Sequence, residues 1–333
     1  MKEKEIKKDN EKEKFKLVCF SDIDYEEIEW LWKPLLPKGK FVMIAGDPSV
    51  GKTFITTYLA SVVSKGGNFP FSDEIVDEGG VLILNSEDSN DEIKKRLELS
   101  KANFNNIFTI TSEDDFIEVN NIDVLRKFIL ERKIVMLIID PLNSYLGYVD
   151  NSNDTSFRKA MTPIVKLCEE LKVTLITVTH FNKGGDKSFY RINGSIAYVG
   201  MPRSVIYAVN DYKDENKKIF AQQKCNYSEK AKPISYKITN EGVEWIEQLD
   251  SINIEDFTSG EKFSLMQTAK DFILDMLQDG EMEANAFKKE AKDDGISTKT
   301  FERARSELKK SNLINKRVEN GTTYWFLTRE DEQ

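Results

Sequence analysis

Eight consecutive residues, Gly46, Asp47, Pro48, Ser49, Val50, Gly51, Lys52 and Thr53, fit G-x-x-x-x-G-K-[ST] at every required position. A glycine-rich turn that opens a helix presents a row of backbone N–H groups at the positive end of the helix dipole, and that arrangement binds phosphates. In such a loop Lys52 reaches the β- and γ-phosphates of ATP and Thr53 holds Mg²⁺. Ser49 stands where many loops of this kind carry another glycine, which stiffens the turn. A second candidate is Asp140, which ends the apolar run Ile134 to Ile139. A carboxylate at the C-terminal end of a buried parallel strand is where a phosphate-binding site needs a second handle on Mg²⁺. The third is His180, the only histidine, placed directly after the strand-like run Val173 to Val178. A lone histidine is more often structural than chemical, but a strand end beside a nucleotide reverses that expectation. ATP and Mg²⁺ are the expected ligands.

These groups need strands to carry them and helices to cover the strands. Phe41 to Ala45, Val81 to Leu84, Ile134 to Ile139, Val173 to Val178 and Ser204 to Val209 are short apolar runs suited to buried parallel strands. Helix-spaced apolar residues lie between them, as in Ile55, Leu59 and Val62, and in Met161, Ile164, Val165, Leu167 and Cys168. The alternation predicts an α/β fold with a mostly parallel sheet flanked by helices. Ile219 to Lys224, Ile234 to Ile238 and Val243 to Ile246 add closing strands, the last two antiparallel. Upstream, Trp30 to Gly39 brings bulky side chains up to a Pro-Gly turn and is expected to pack across the sheet end or on a neighbouring copy.

Four segments follow from the changes in pattern. Residues 1–18 alternate Lys and Glu and read as a disordered arm. Residues 19–248 form the α/β unit and 249–262 an acidic linker. Residues 263–330 show three helical segments and then two strand-like runs joined by Asn320-Gly321, the strongest short hairpin signal. Three helices and a hairpin make a small α+β unit of winged-helix type.

The net charge of −9 excludes general attraction to nucleic acid, so any such contact must be local. Between Ser297 and Arg317 seven cations, Lys299, Arg303 and Arg305 among them, face only Glu302 and Glu307, a local excess that fits duplex DNA. Near His180, Lys183, Lys187 and Arg191 are interleaved with Phe189 and Tyr190, pairing phosphate-binding cations with stacking rings for single-stranded DNA. Cys19, Cys168 and Cys225 have neither disulfide-framework nor zinc-site spacing, and no long apolar run appears. A cytoplasmic protein without membrane contact is expected.

The stretch from about Trp30 to Ile246 resembles the RecA-like ATPases of the plasmid RepA type, a family of hexameric replicative helicases. The resemblance rests on GDPSVGKT, on LNSEDS followed by Arg96, on IIDPL at Asp140, on THFNKG at His180, on the NGS run from Asn193 with Arg203 beyond it, and on Lys224-Cys-Asn-Tyr227. It implies an ATPase whose Glu87 orients and deprotonates the attacking water, with Asp88 as the rival carboxylate. His180 then senses the γ-phosphate, and Arg203 and Lys224 reach into the pocket of the next subunit. It also implies a homo-oligomeric ring, a hexamer, acting on single-stranded DNA as the replicative helicase of a plasmid, phage or other mobile element. Two other classes use the same residues: an ATP-switched DNA-binding regulator of replication or transcription, and a recombinase-like filament.

Overall fold

The computed structural model describes residues 17–112, 117–147, 153–181, 196–211, 216–250, 260–278 and 280–328, with Asp214, Ile252 and Ile254. The charged arm up to residue 16, half of the acidic linker, and the stretch with Lys183, Lys187, Phe189, Tyr190 and Arg191 lie outside the described residues.

Trp30–Trp32 (β1) and Leu36–Pro37 (β2) form an antiparallel pair where the sequence shows only an apolar approach to a turn. The pair is held by tertiary contact. Trp32, 2% exposed, stacks on Phe69 and Phe220 and meets Trp245 edge-on, so the segment packs on its own chain. Phe41–Gly46 (β3) leads through the glycine loop into Lys52–Lys65 (α1). The short pair Gly67–Asn68 (β4) and Ile75–Val76 (β5) follows, then Gly80–Asn85 (β6), Asn90–Leu99 (α2) and Ile107–Phe108 (β7). Next come Ile122–Arg132 (α3), Ile134–Asp140 (β8), Asp154–Glu170 (α4), Thr174–His180 (β9) and the five-residue helix Ile196–Gly200 (α5). Ser204–Asn210 (β10), Lys218–Cys225 (β11), Ile234–Thr239 (β12) and Gly242–Gln248 (β13) close the sheet.

The main sheet has nine strands in the order β13-β12-β11-β10-β3-β9-β8-β6-β7. The six from β10 to β7 are mutually parallel, and β11, β12 and β13 continue antiparallel on one side. Period-two alternation divides its side chains between two cores. Phe41, Met43, Leu137 and Ile139 face the layer of α3 and α4, whereas Val42, Ile44, Met136 and Ile138 face α1 and α2. Both faces are therefore covered, which is why the strands read as unbroken apolar runs. Helix α1 is buried nearly all round, and its Thr57, Ser61 and Ser64 hydroxyls donate to carbonyls three or four residues back, so burying them leaves no orphan.

The C-terminal part comprises Gly260–Gln278 (α6), Met282–Glu283 (β14), Ala284–Asp293 (α7), Thr298–Lys310 (α8), Ile314–Glu319 (β15) and Thr322–Leu327 (β16). The Asn320-Gly321 turn joins β15 to β16 with both residues at positive φ, and β14 adds a third strand that periodicity could not reveal because it is two residues long. Its core, with Ile273, Phe287, Phe301 and Leu308, is built from its own residues.

Candidate functional site

Strand register places the predicted chemical groups side by side along one edge of the sheet. Gly46 is level with His180, and Asn85 is level with Asp140, at the C-terminal ends of four adjacent parallel strands. Gly46 lies so close to the Ala208 carbonyl that any Cβ would overlap it at 2.1 Å. Gly51 takes φ +84° where the loop turns into α1, a conformation that glycine adopts without strain. Ser49 also sits at φ +65°, so the departure noted in the sequence is a residue held in left-handed backbone. From the far side the antiparallel strands brace the loop: the Tyr236 hydroxyl donates to the Val50 carbonyl at 2.7 Å, and Ile238 lies against Gly51.

Lys52, 6% exposed, folds back over this loop. Its ammonium donates to the carbonyls of Gly46 at 3.0 Å and Asp47 at 2.8 Å, and lies 3.1 Å from His180 Nδ1. Burial lowers its pKa to about 8, against the opposing pull of Asp140, Glu87 and Asp47. An ammonium has donors only, so Nδ1 accepts and the ring proton sits on Nε2. That nitrogen faces Glu87 Oε1 at 3.5 Å. One chain of groups thus runs from Lys52 through His180 to Glu87.

Glu87 is aimed by its neighbours. The Asn85 side chain accepts the Asp88 N–H at 2.8 Å, the Ser86 N–H donates to the Asp140 carbonyl, and Ser89 with Glu92 forms a reciprocal capping box that opens α2. The spacing of Ser89 and Glu92 is the signal that marks this helix start in the sequence. Asp88 is committed elsewhere, because both its oxygens accept from Arg96, which also lies over the Phe54 ring at 4.9 Å. Of the two adjacent carboxylates, Glu87 is the one directed at His180.

Asp140 is 3% exposed and its Oδ2 has no hydrogen-bond partner. Burial raises its pKa to about 6; the Thr53 hydroxyl bond and Lys52 oppose the rise, and Glu87 and Asp88 add to it. A buried, half-satisfied carboxylate next to the threonine of the loop fits a Mg²⁺ ion, whose charge would relieve it. Among the described residues no cluster of three His, Cys, Asp or Glu could hold a metal, so the ion would rest on Thr53, Asp140 and the phosphates, which is how Mg²⁺ usually sits beside a nucleotide.

Two predicted residues lie at the opposite edge. The Arg203 N–H donates to the Phe41 carbonyl and Lys224 is level with Val205, so both stand where the parallel strands begin. Five residue steps along β3 separate Phe41 from Gly46, about 17 Å. Arg203 is exposed. Lys224 is not free: its ammonium donates to the carbonyls of Val199, Gly200 and Pro202 at 2.8–3.0 Å. Burial, with Arg203 and Arg158 nearby, lowers its pKa. It ties down the turn that carries Arg203, a role invisible in sequence because it depends on three carbonyls some two dozen residues away.

In the C-terminal part Lys299 and Arg303 are exposed on α8. Arg305 is packed between the rings of Phe301 at 5.5 Å and Trp325 at 4.7 Å, which makes it a core-edge residue rather than an open cation.

A phosphate-binding loop between a central parallel strand and a buried helix, with a carboxylate at the end of a nearby strand, defines a P-loop NTPase core. The model of a family described as AAA domain matches residues 10–186, more than half of the chain, and the chain belongs to that family. The matched span contains Lys52, Thr53, Glu87, Asp140 and His180, so the ATPase assignment rests on the residues just described. No curated protein matches the chain. Among the described residues no helix is long and apolar enough to cross a membrane.

Proposed function

We infer that the chain is a Mg²⁺-dependent ATP-hydrolysing motor that assembles head to tail into a ring, a hexamer, and moves on single-stranded DNA as the replicative helicase of a mobile element. The observation that carries this reading is the division of the machinery between opposite sheet edges. Lys52, Glu87, Asp140 and His180 line one edge, and the exposed Arg203 stands about 17 Å away at the other, too far to serve its own nucleotide. A second copy stacked edge to edge supplies Arg203 in trans, where it neutralises charge on the transferred phosphoryl group.

Within one copy the roles follow from geometry. Lys52 gives up one of its three partners for a phosphate oxygen. Glu87 takes the proton of the attacking water, and His180, touching both, registers whether phosphate is present. Mg²⁺, when bound by Thr53 and Asp140, neutralises charge on the phosphates. The stretch with Lys183, Lys187, Phe189, Tyr190 and Arg191 starts two residues after Phe181, so DNA held there by cations and stacked rings is coupled to the phosphate site through His180.

The C-terminal part is read as a winged-helix unit that contacts duplex DNA through α8. Lys299, Arg303, Ser306 and Lys310 fall on one helical face and are exposed. Glu302 and Glu307 are drawn off this face by Lys288 and Lys270. The decisive experiment is strand displacement on a forked duplex with ATP and Mg²⁺. Hydrolysis that single-stranded DNA stimulates, without displacement under any tail polarity, would reject the helicase and leave an ATP-driven switch.

A further inference from the structure

The N-terminal side of the described chain leaves large apolar side chains uncovered. Leu17, Phe20 and Tyr25 are 100%, 89% and 88% exposed, and Val18 and Ile23 are 44% and 53% exposed. One scattered apolar residue on a surface needs no reason, but five within nine positions mark a contact surface. The backbone is open, a single 3-10 turn at Phe20–Asp22 between extended Cys19 and Ile23. From Asp22 to Glu29 the segment carries five carboxylates and no cation. Lys172 pairs with Glu26 and Glu29, and Lys38 with Glu29, which anchors the segment where β3 and β9 begin. It therefore leaves the body at the same sheet edge as Arg203.

A receptor of matching character lies along the flank of the sheet. Strand β7 ends the main sheet, and among the described residues no strand pairs with its outer side. Two adjoining cavities of ≈630 and ≈270 Å³ run between this strand, its continuation to Ser112, and α3; Ile110, Thr111 and Phe128 line both. Val124, 43% exposed, forms part of the wall, and Asn85 places the mouth at the nucleotide edge. Arg132 lies over the Phe108 ring and lines the groove with Glu131, which Lys127 pairs, and Lys133 is exposed next to them, so cations outnumber carboxylates at this end of the groove.

We propose that residues 17–25 of one copy dock in this groove of the next copy, as an extended segment along the outer side of β7 with Phe20 and Tyr25 as its anchors. Backbone pairing at an open sheet edge supplies affinity, and the apolar groove supplies register. The inference rests on the head-to-tail reading above and deepens it. The arm and the groove are different surfaces of the chain, so their contact is heterologous; it repeats from copy to copy and can close into a ring.

The test uses full-length variants and sedimentation velocity with a non-hydrolysable ATP analogue and single-stranded DNA. The arm variant carries Phe20→Ser and Tyr25→Ser. The groove variants are Val124→Glu and, separately, Thr111→Pro, which removes a backbone donor at the groove with little change in apolar surface. Each alone is expected to weaken assembly by at least about 30-fold, the loss that follows when one anchoring side chain is removed from an interface centre. Binding of the analogue should match the unmodified protein, which reports an intact fold. Mixing arm and groove variants should give one-to-one dimers and nothing larger, because only one intact arm and one intact groove remain in each pair. Assembly of the variants at unmodified strength, or a mixture that forms no dimer, overturns the arm assignment while leaving the ring reading standing. An unmodified chain that stays monomeric under every condition overturns both.

Discussion

Asp140→Asn is expected to stabilise the nucleotide-free protein while abolishing hydrolysis. Burial raises the Asp140 pKa from 3.8 to about 6, so the folded state holds this proton more tightly than the unfolded chain does. For a carboxylate shifted upward, folding is unaffected below the unfolded pKa and loses free energy as pH rises through the interval between the two values. The loss levels off above pH 6 at on the order of 3 kcal/mol, from about two pKa steps at 1.36 kcal/mol each. An uncharged isostere keeps the Thr53 hydroxyl bond and escapes that loss. Urea unfolding of the ATPase unit, followed by fluorescence of Trp32 and Trp245, should show the variant ahead by roughly 1.5 kcal/mol at pH 5 and roughly 3 kcal/mol at pH 7.5. Adding Mg²⁺ and an ATP analogue should raise the midpoint of the unmodified protein by more than that of the variant, because the loop and Lys52 bind the phosphates in both and only the carboxylate is relieved of its buried charge by the ion. A variant less stable at pH 7.5, or a difference that does not change between the two pH values, would refute the idea of an uncompensated buried charge.

Lys52→Ala should lose nucleotide affinity and hydrolysis together, whereas Glu87→Gln should bind an ATP analogue normally and fail to turn it over; normal turnover by Glu87→Gln would remove it from the reaction, since Asp88 is held by Arg96. Arg203→Ala should bind ATP and hydrolyse it at least about 10³-fold more slowly, and mixing it with Lys52→Ala should restore activity at interfaces pairing an intact pocket with an intact Arg203; no rescue despite measured subunit exchange rejects action in trans. Replacing Lys299, Arg303 and Lys310 together by Ala should lower the log–log salt slope of duplex binding by about 2.7, at about 0.9 per phosphate contact, and an unchanged slope means that α8 does not face DNA.

The parts of this structure that sequence reveals are those whose cause is local. The glycine loop, the strand ending in Asp140 and the strand ending in His180 each follow from a periodicity and one terminal residue, and the register then sets them level without further information. The hidden parts depend on contacts made across the chain. Trp30–Trp32 becomes a strand because Trp32 finds Phe69, Phe220 and Trp245. Lys224 and Arg305 look like available cations until folding brings carbonyls to one and two rings to the other. Charge in a sequence says that a cation exists; only packing says whether it is still free to bind anything.

The same distinction, between a group that is present and one that is free to move, applies to His180. Lys52 is already saturated by two carbonyls and an imidazole nitrogen, so an arriving phosphate cannot simply be added to its partners and must replace one of them. The carbonyls are fixed in the loop backbone, whereas the imidazole is a side chain at a strand end, one third exposed and free to rotate about its own bonds. His180 is therefore the partner most easily displaced. Its Nε2–H already faces Glu87, so displacement from Lys52 changes what Glu87 touches at the moment the phosphate arrives.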